Sequence, residues 1–194
     1  MKRWLWAVVL GVWTGWVVAP VGLAQTTNVE TLLKRAVERG QKGDFEAAIL
    51  DLNQVLKLAP NHTTAFILRG VAYTNLGNAK QALEDFTKAI QTDPKAVAAY
   101  AYRGVVRRQL LDLPGALADL NEAIKLDSKA PDFYAFRGAL HADNNDVAQA
   151  LRDFRQAAQL YKERGDAEGA KEMQEFIQAL EKQSPSPPPS KPSK

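Results

Sequence analysis

An arginine and an aspartate sixteen residues apart recur four times along the chain, and they are the residues best suited to a specific polar contact. A guanidinium group can donate two parallel hydrogen bonds to one carboxylate, which makes the ion pair both strong and directional. The combination returns every 34 residues. The sequence therefore predicts one structural ion pair in each of four units: Arg35 with Asp51, Arg69 with Asp85, Arg103 with Asp119, and Arg137 with Asp153.

Catalytic chemistry is not indicated by the other polar residues. The two histidines, His62 and His141, have no nucleophile, acid pair or ligand cluster beside them in the sequence, and we predict structural roles for both. Residues 141–146 lack the glycine and the closing glutamate of a calcium-binding loop. The chain has no cysteine, which excludes disulfides and thiolate metal sites. We expect no catalytic residue, no metal and no cofactor.

Two elements per unit must position each arginine and aspartate. Downstream apolar residues fall at helical spacing, as in Ala48, Leu52 and Val55, and an upstream stripe pairs a large residue with a small one four positions later, as in Phe66 and Gly70. Both stripes repeat every 34 residues and predict two helices per unit. Turn-forming segments separate them: residues 42–44, 76–78, 111–114 and 144–146.

The repeats resemble tetratricopeptide repeats, which have the same 34-residue period. The resemblance covers residues 29–164 and implies an all-α fold: a right-handed α-solenoid of four helix hairpins plus a C-terminal capping helix. The family's aromatic column holds Tyr73 in unit two but Arg39, Arg107 and His141 elsewhere. The four units are residues 29–62, 63–96, 97–130 and 131–164. The family's residue types are most complete at Phe66, Gly70, Tyr73, Gly77, Ala82, Phe86, Ala89 and Pro94.

Residues 1–24 read as a secretory signal peptide, because Lys2 and Arg3 precede an uncharged run and small residues precede a cleavage position after Ala24. The alternative is an uncleaved anchor, since the uncharged run approaches the ~20 residues that cross a bilayer. We expect the repeats in the periplasm, in the thylakoid lumen or outside the cell, or anchored to a membrane and facing the same side.

The other terminal segments are also predicted from composition. Residues 25–28 are a short linker, and residues 165–183 form the capping helix with Phe176 beside its apolar stripe. Residues 184–194 have no apolar residue other than proline, so we predict a disordered tail that acts as a spacer or, alternatively, as a proline-recognition segment. The net charge of +3 comes mostly from the leader, which makes nucleic acid a poor candidate partner.

The resemblance implies that the first helix of each unit lines a concave, partner-binding groove. We call the residues at the family's ligand-facing positions the ridge. A carboxylate clamp for a chaperone terminus is not expected, because Leu33 and Val37 stand where that clamp needs lysine and asparagine. The ridge consists of Leu33, Lys34, Val37, Ile67, Leu68, Val71, Asn75, Ala101, Tyr102, Val105, Arg108, Gln109, Ala135, Phe136, Ala139 and Asp143.

A mainly apolar ridge suits an extended segment or an amphipathic helix that loses water on docking. The sequence therefore predicts a non-enzymatic, exported module that binds a protein or peptide, as an adaptor or assembly factor. The alternative is a structural protein that self-associates through its groove or cap, or a membrane-anchored scaffold if the leader is retained.

Overall fold

The computed structural model describes residues 21–183, with side chains from residue 28 to residue 182. The predicted signal peptide lies almost wholly outside this range, and the predicted tail lies entirely outside it. The described residues contain no strand. They form nine helices: α1 (Val21–Gln41), α2 (Phe45–Leu58), α3 (Thr63–Asn75), α4 (Ala79–Thr92), α5 (Val97–Gln109), α6 (Leu113–Leu126), α7 (Pro131–Asp143), α8 (Val147–Glu163) and α9 (Ala167–Gln183).

The helices stack in chain order. Within each unit the first helix packs against the second, and the second helix packs against the first helix of the next unit. A single hairpin cannot bury both of its apolar faces, so stacking is what completes the core. The predicted all-α solenoid of four hairpins and a capping helix is confirmed.

The predicted linker at residues 25–28 is wrong. Helix α1 runs without interruption from Val21 to Gln41, so these residues belong to the first helix of unit one. The segment 23–28 contains neither proline nor glycine, and a helix that has already formed extends at little cost through such residues. Within the described residues, no helix is both long enough and apolar enough to span a bilayer.

Each hairpin turns through one residue with a left-handed backbone. The residues 34 apart at this place have φ values of 80° at Gly43, 75° at Gly77, 62° at Leu111 and 58° at Asn145. Glycine and asparagine adopt this conformation readily, whereas leucine does not. The next residue begins the second helix as its cap, and in units one, three and four an aspartate side chain there accepts a backbone hydrogen bond.

The two helices of a unit approach closely at the small residue of the first helix. A Cβ atom added at Gly70 would lie 2.6 Å from Cε1 of the buried Phe86 ring, and one added at Gly138 would lie 3.0 Å from the ring of Phe154. The large residue on the second helix therefore occupies the space that the glycine leaves. This contact explains why the upstream stripe alternates large and small residues.

The two ends of the solenoid are finished differently from its interior. Val106 packs against α4 and Leu140 against α6, whereas the equivalent residue of α1 is the exposed Glu38. The solvent-facing side of unit one is therefore polar. At the other end, Met173 and Ile177 of α9 are buried against the apolar side of α8. The predicted cap is present, and its polar residues face outward as solenoids require.

Gly70→Ala should destabilise the protein, because the added methyl group has no room beside the Phe86 ring and overpacking typically costs about 1–3 kcal/mol. Gly40→Ala is the matched control, since nothing lies within 4 Å of its Cβ position. That substitution should stabilise by up to about 1 kcal/mol, the usual benefit of removing a helical glycine. Urea unfolding measures both, and equal effects would contradict the close approach.

Candidate protein-binding groove

Each predicted arginine–aspartate pair is a bidentate contact between the two helices of one unit. Arg69 Nε and Nη2 each donate to one oxygen of Asp85, both at 2.7 Å. The other three pairs have the same geometry, with distances between 2.6 and 2.9 Å. The four aspartates are only 1–6% exposed, so these contacts are made largely out of water.

The same arginines also reach the preceding unit. Their third nitrogen, Nη1, donates to a polar side chain on the second helix of that unit: Arg69 to Asn53 at 2.5 Å, Arg103 to Thr87 at 3.2 Å, and Arg137 to Asn121 at 2.7 Å. Each of these guanidinium groups therefore joins three helices. The sequence analysis missed these acceptors, although a polar residue follows the aspartate by two positions in every unit.

The residues that depart from the family's aromatic column supply a second cation to the buried aspartate. Arg39 Nη1 lies 2.8 Å from Asp51, and Arg107 Nη1 lies 2.8 Å from Asp119. His141 Nε2 lies 3.9 Å from Asp153 in unit four. Unit two has Tyr73 in this column, so among the described side chains Asp85 is paired with Arg69 alone.

The pairing changes the acidity of the groups involved. The hydrogen bond from Arg35 lowers the pKa of Asp51, while burial of the carboxylate opposes that shift. The hydrogen bond to Asp85 likewise raises the pKa of Arg69. Asp51 therefore stabilises the fold at neutral pH, and this stabilisation is lost only as the pH falls below the ordinary pKa of an aspartate, about 3.9.

The first helices form the inner side of the solenoid. Helix α1 contacts α3, α3 contacts α5, and α5 contacts α7, which are closer approaches than those between successive second helices. The ridge lies on these four helices. Helix α1 carries Leu33, Lys34 and Val37; α3 carries Ile67, Leu68, Val71 and Asn75; α5 carries Ala101, Tyr102, Val105, Arg108 and Gln109; α7 carries Ala135, Phe136, Ala139 and Asp143.

The ridge residues differ in how far they are available to a partner. Val37 and Tyr102 are the most exposed of its apolar members, at 37% and 41%. Leu68 and Phe136 are half-buried and pack against the core clusters of their neighbours. Ala101 is buried within the repeat stack, so it cannot contact a partner. The accessible ridge is therefore narrower than the sequence predicts.

A pocket of about 360 Å³ opens in the ridge between units one and two. Its walls are almost entirely apolar, with the side-chain amides of Gln41 and Asn75 at its edge. Four of the lining residues belong to the predicted ridge. The full lining consists of Ala36, Val37, Gly40 and Gln41 of α1, Phe45, Ala48 and Leu52 of α2, and Leu68, Val71, Ala72 and Asn75 of α3.

Larger residues occupy the corresponding space further along the solenoid. Between units two and three, Phe86 and Tyr102 replace Leu52 and Leu68, and their rings stack with centroids 5.8 Å apart. Between units three and four, Arg108 and Asp143 form an ion pair from α5 to α7. These two residues are the equivalents of Gly40 and Asn75, so the pocket exists because unit one has no side chain at Gly40.

The capping helix continues the ridge. In each unit the second helix contacts the next ridge residue: Leu52 clusters with Leu68, Phe86 stacks on Tyr102, and Leu120 clusters with Phe136. In unit four, Phe154 stacks on Phe176 of α9, with centroids 5.4 Å apart. The partly exposed Phe176 therefore takes the place of a fifth ridge residue, which the sequence analysis did not assign.

Comparison with known families agrees with this architecture. The sequence profile described as tetratricopeptide repeat matches residues 33–97, 75–131 and 103–164, which together cover more than half of the chain. The chain belongs to the tetratricopeptide repeat family. Members of this family are interaction scaffolds that bind peptides of other proteins. No curated protein matches the sequence.

Solved structures share the fold at low sequence identity. MamA from Desulfovibrio magneticus has a TM-score of 0.62 at 17% identity and covers 82% of this chain and 98% of its own. The OM64 domain of Arabidopsis scores 0.60 at 24% identity, over 61% and 98%. The TPR2B domain of yeast Sti1, solved in a complex with Hsp70, scores 0.60 at 22% identity, over 63% and 98%.

Arg69→Ala should lower the free energy of unfolding by roughly 3–5 kcal/mol, because it leaves Asp85 buried without a cation. Arg103→Ala is the matched comparison, since the two arginines are similarly buried and each lies over an aromatic ring three residues earlier. Its effect should be clearly smaller, because Arg107 still contacts Asp119. Denaturant unfolding measures both values. A larger effect for Arg103→Ala would contradict the role of the second cation.

Proposed function

We propose that this protein is an exported adaptor or assembly factor that binds an apolar segment of another protein along its ridge. The observation that carries the proposal is the open pocket between units one and two, in a family whose members bind peptides. Its volume suits one bulky apolar side chain, and burying such a side chain is the main source of affinity at sites of this kind.

The polar groups near the pocket define the partner further. The amides of Gln41 and Asn75 can accept and donate hydrogen bonds to the backbone of a bound segment. Lys34 lies one helical turn before Val37 on α1, is exposed, and makes no ion pair with any described residue. The bound segment is therefore an apolar anchor with a carboxylate nearby. The residues of a carboxylate clamp are missing at Leu33 and Val37, so the anchor side chain, and not a chain terminus, provides the affinity.

The groove should be tested with a photo-crosslinking amino acid at Val37 in the producing cell. Crosslinked partners are identified by mass spectrometry. The same amino acid at Leu50, an exposed leucine of α2 outside the ridge, is the control. Partners should be captured from position 37 and not from position 50. Equal capture at both positions would contradict the proposed groove.

Adding Val71→Asp and Val105→Asp to the Val37 crosslinking chain should abolish this capture, because charged groups would then lie in the apolar site. Circular dichroism checks that helicity is unchanged. Retained capture in a folded double variant would move the site elsewhere.

Export is supported by the predicted signal peptide, and the tryptophans provide its test. All four tryptophans, Trp4, Trp6, Trp13 and Trp16, lie in residues 1–24. The exported protein should therefore show no tryptophan emission, and its intact mass should correspond to a chain that begins at Gln25. Tryptophan emission from a membrane-bound chain of full mass would favour the anchored alternative.

A further inference from the structure

The turn between α5 and α6 carries a leucine where the other units have turn residues. Leu111 has a left-handed backbone and is 82% exposed. The equivalent residues are Gly43, Gly77 and Asn145, which adopt that conformation more readily. Leu111 is thus unfavourable in conformation and gains little from burial. The fold of unit three does not explain its presence, and backbone strain of this kind points to a function.

Leu111 lies beside an apolar hollow on the same edge of the solenoid. The preceding Leu110 is 52% exposed. The hollow has a volume of about 390 Å³ and lies between α6 and the end of α7. Its lining residues are Leu111, Leu113, Pro114, Leu117, Leu140, His141 and Asn144. We call Leu110, Leu111 and this hollow the turn patch. None of its residues belongs to the ridge.

The turn patch is specific to unit three. The tip residues equivalent to Leu110 and Leu111 are Lys42 and Gly43 in unit one and Asn144 and Asn145 in unit four. Polar or small residues are the ordinary choice for an exposed turn, because they keep their contact with water. The apolar tip is therefore a local feature of one turn and is not required by the repeat.

We propose that the turn patch is the interface between two copies of this chain. An interface with two-fold symmetry must be self-complementary, since the same surface is used on both sides. The turn patch has this property, because it combines a projecting side chain, Leu111, with a hollow of the size that can receive one. Leu111 of each copy enters the hollow of the other.

Charge is compatible with this pairing. Arg108 and Asp143 form an ion pair at the rim, so two copies meet without an excess of like charge. A membrane surface is a poorer occupant, because Arg107 and Arg108 are both already paired with aspartates of the same chain. The patch is small, which predicts a weak, concentration-dependent dimer that leaves the ridge free for its partner.

A single cysteine tests the pairing directly, because the natural sequence has none. The full chain with Leu111→Cys is produced in its host and treated with a short bis-maleimide crosslinker. The expected product has twice the mass of the chain. Leu50→Cys is the matched control, since Leu50 is also an exposed leucine but lies outside the turn patch, and it should remain a monomer.

Three results would overturn the proposal: no product from Leu111→Cys, equal product from both variants, or a product that joins Leu111→Cys to a different protein.

Leu111→Gly provides a second measurement with two expected signs. The glycine removes the projecting side chain and relieves the left-handed backbone, so Tm should not fall. The dissociation constant of the dimer should rise at least about tenfold, the effect of losing one central apolar contact. Sedimentation equilibrium of the chain as purified from its host measures the association. Unchanged association, or a lower Tm, would show that Leu111 serves the fold and not the interface.

Discussion

The buried aspartate of each unit is the constraint on which the arrangement of the helices depends. Its carboxylate is out of water, so it must keep the arginine of the neighbouring helix. From the second unit onward, that arginine also holds a polar side chain of the preceding unit. Apolar stripes alone would allow helices to slide past one another. The directional contacts of a guanidinium group fix the relative position of three helices at each junction.

The binding surface follows from this fixed frame because the units differ in only a few columns. With the first helices held side by side, the size of each inner residue decides whether the space between units is filled. Gly40 and Leu52 leave it open, whereas Phe86 and Tyr102 fill it by stacking. A recognition site can thus arise within a regular array by the loss of side-chain volume at one place, without any change of backbone.

The sequence predicts the features that recur and misses those that depend on volume or on breaks in the register. The hairpins and the contacts of Arg69 with Asp85 follow from columns repeated every 34 residues. The pocket does not, because it depends on the combined volume of side chains from three helices. Phe176 escapes the repeat count because α8 has 17 residues while α2, α4 and α6 have 14, which places the cap out of register. Helix α1 begins early because its start lies outside the repeats.

The polar outer side of α1 limits how such a chain could have grown during evolution. A duplicate of unit two, inserted after the original, would meet apolar faces and hydrogen-bond acceptors on both sides. A duplicate placed ahead of α1 would have to cover Lys34 and Glu38 with an apolar helix, which removes both charges from water. Gene duplication is therefore tolerated in the interior of the array, while its first unit marks a boundary that new copies cannot cross without further substitutions.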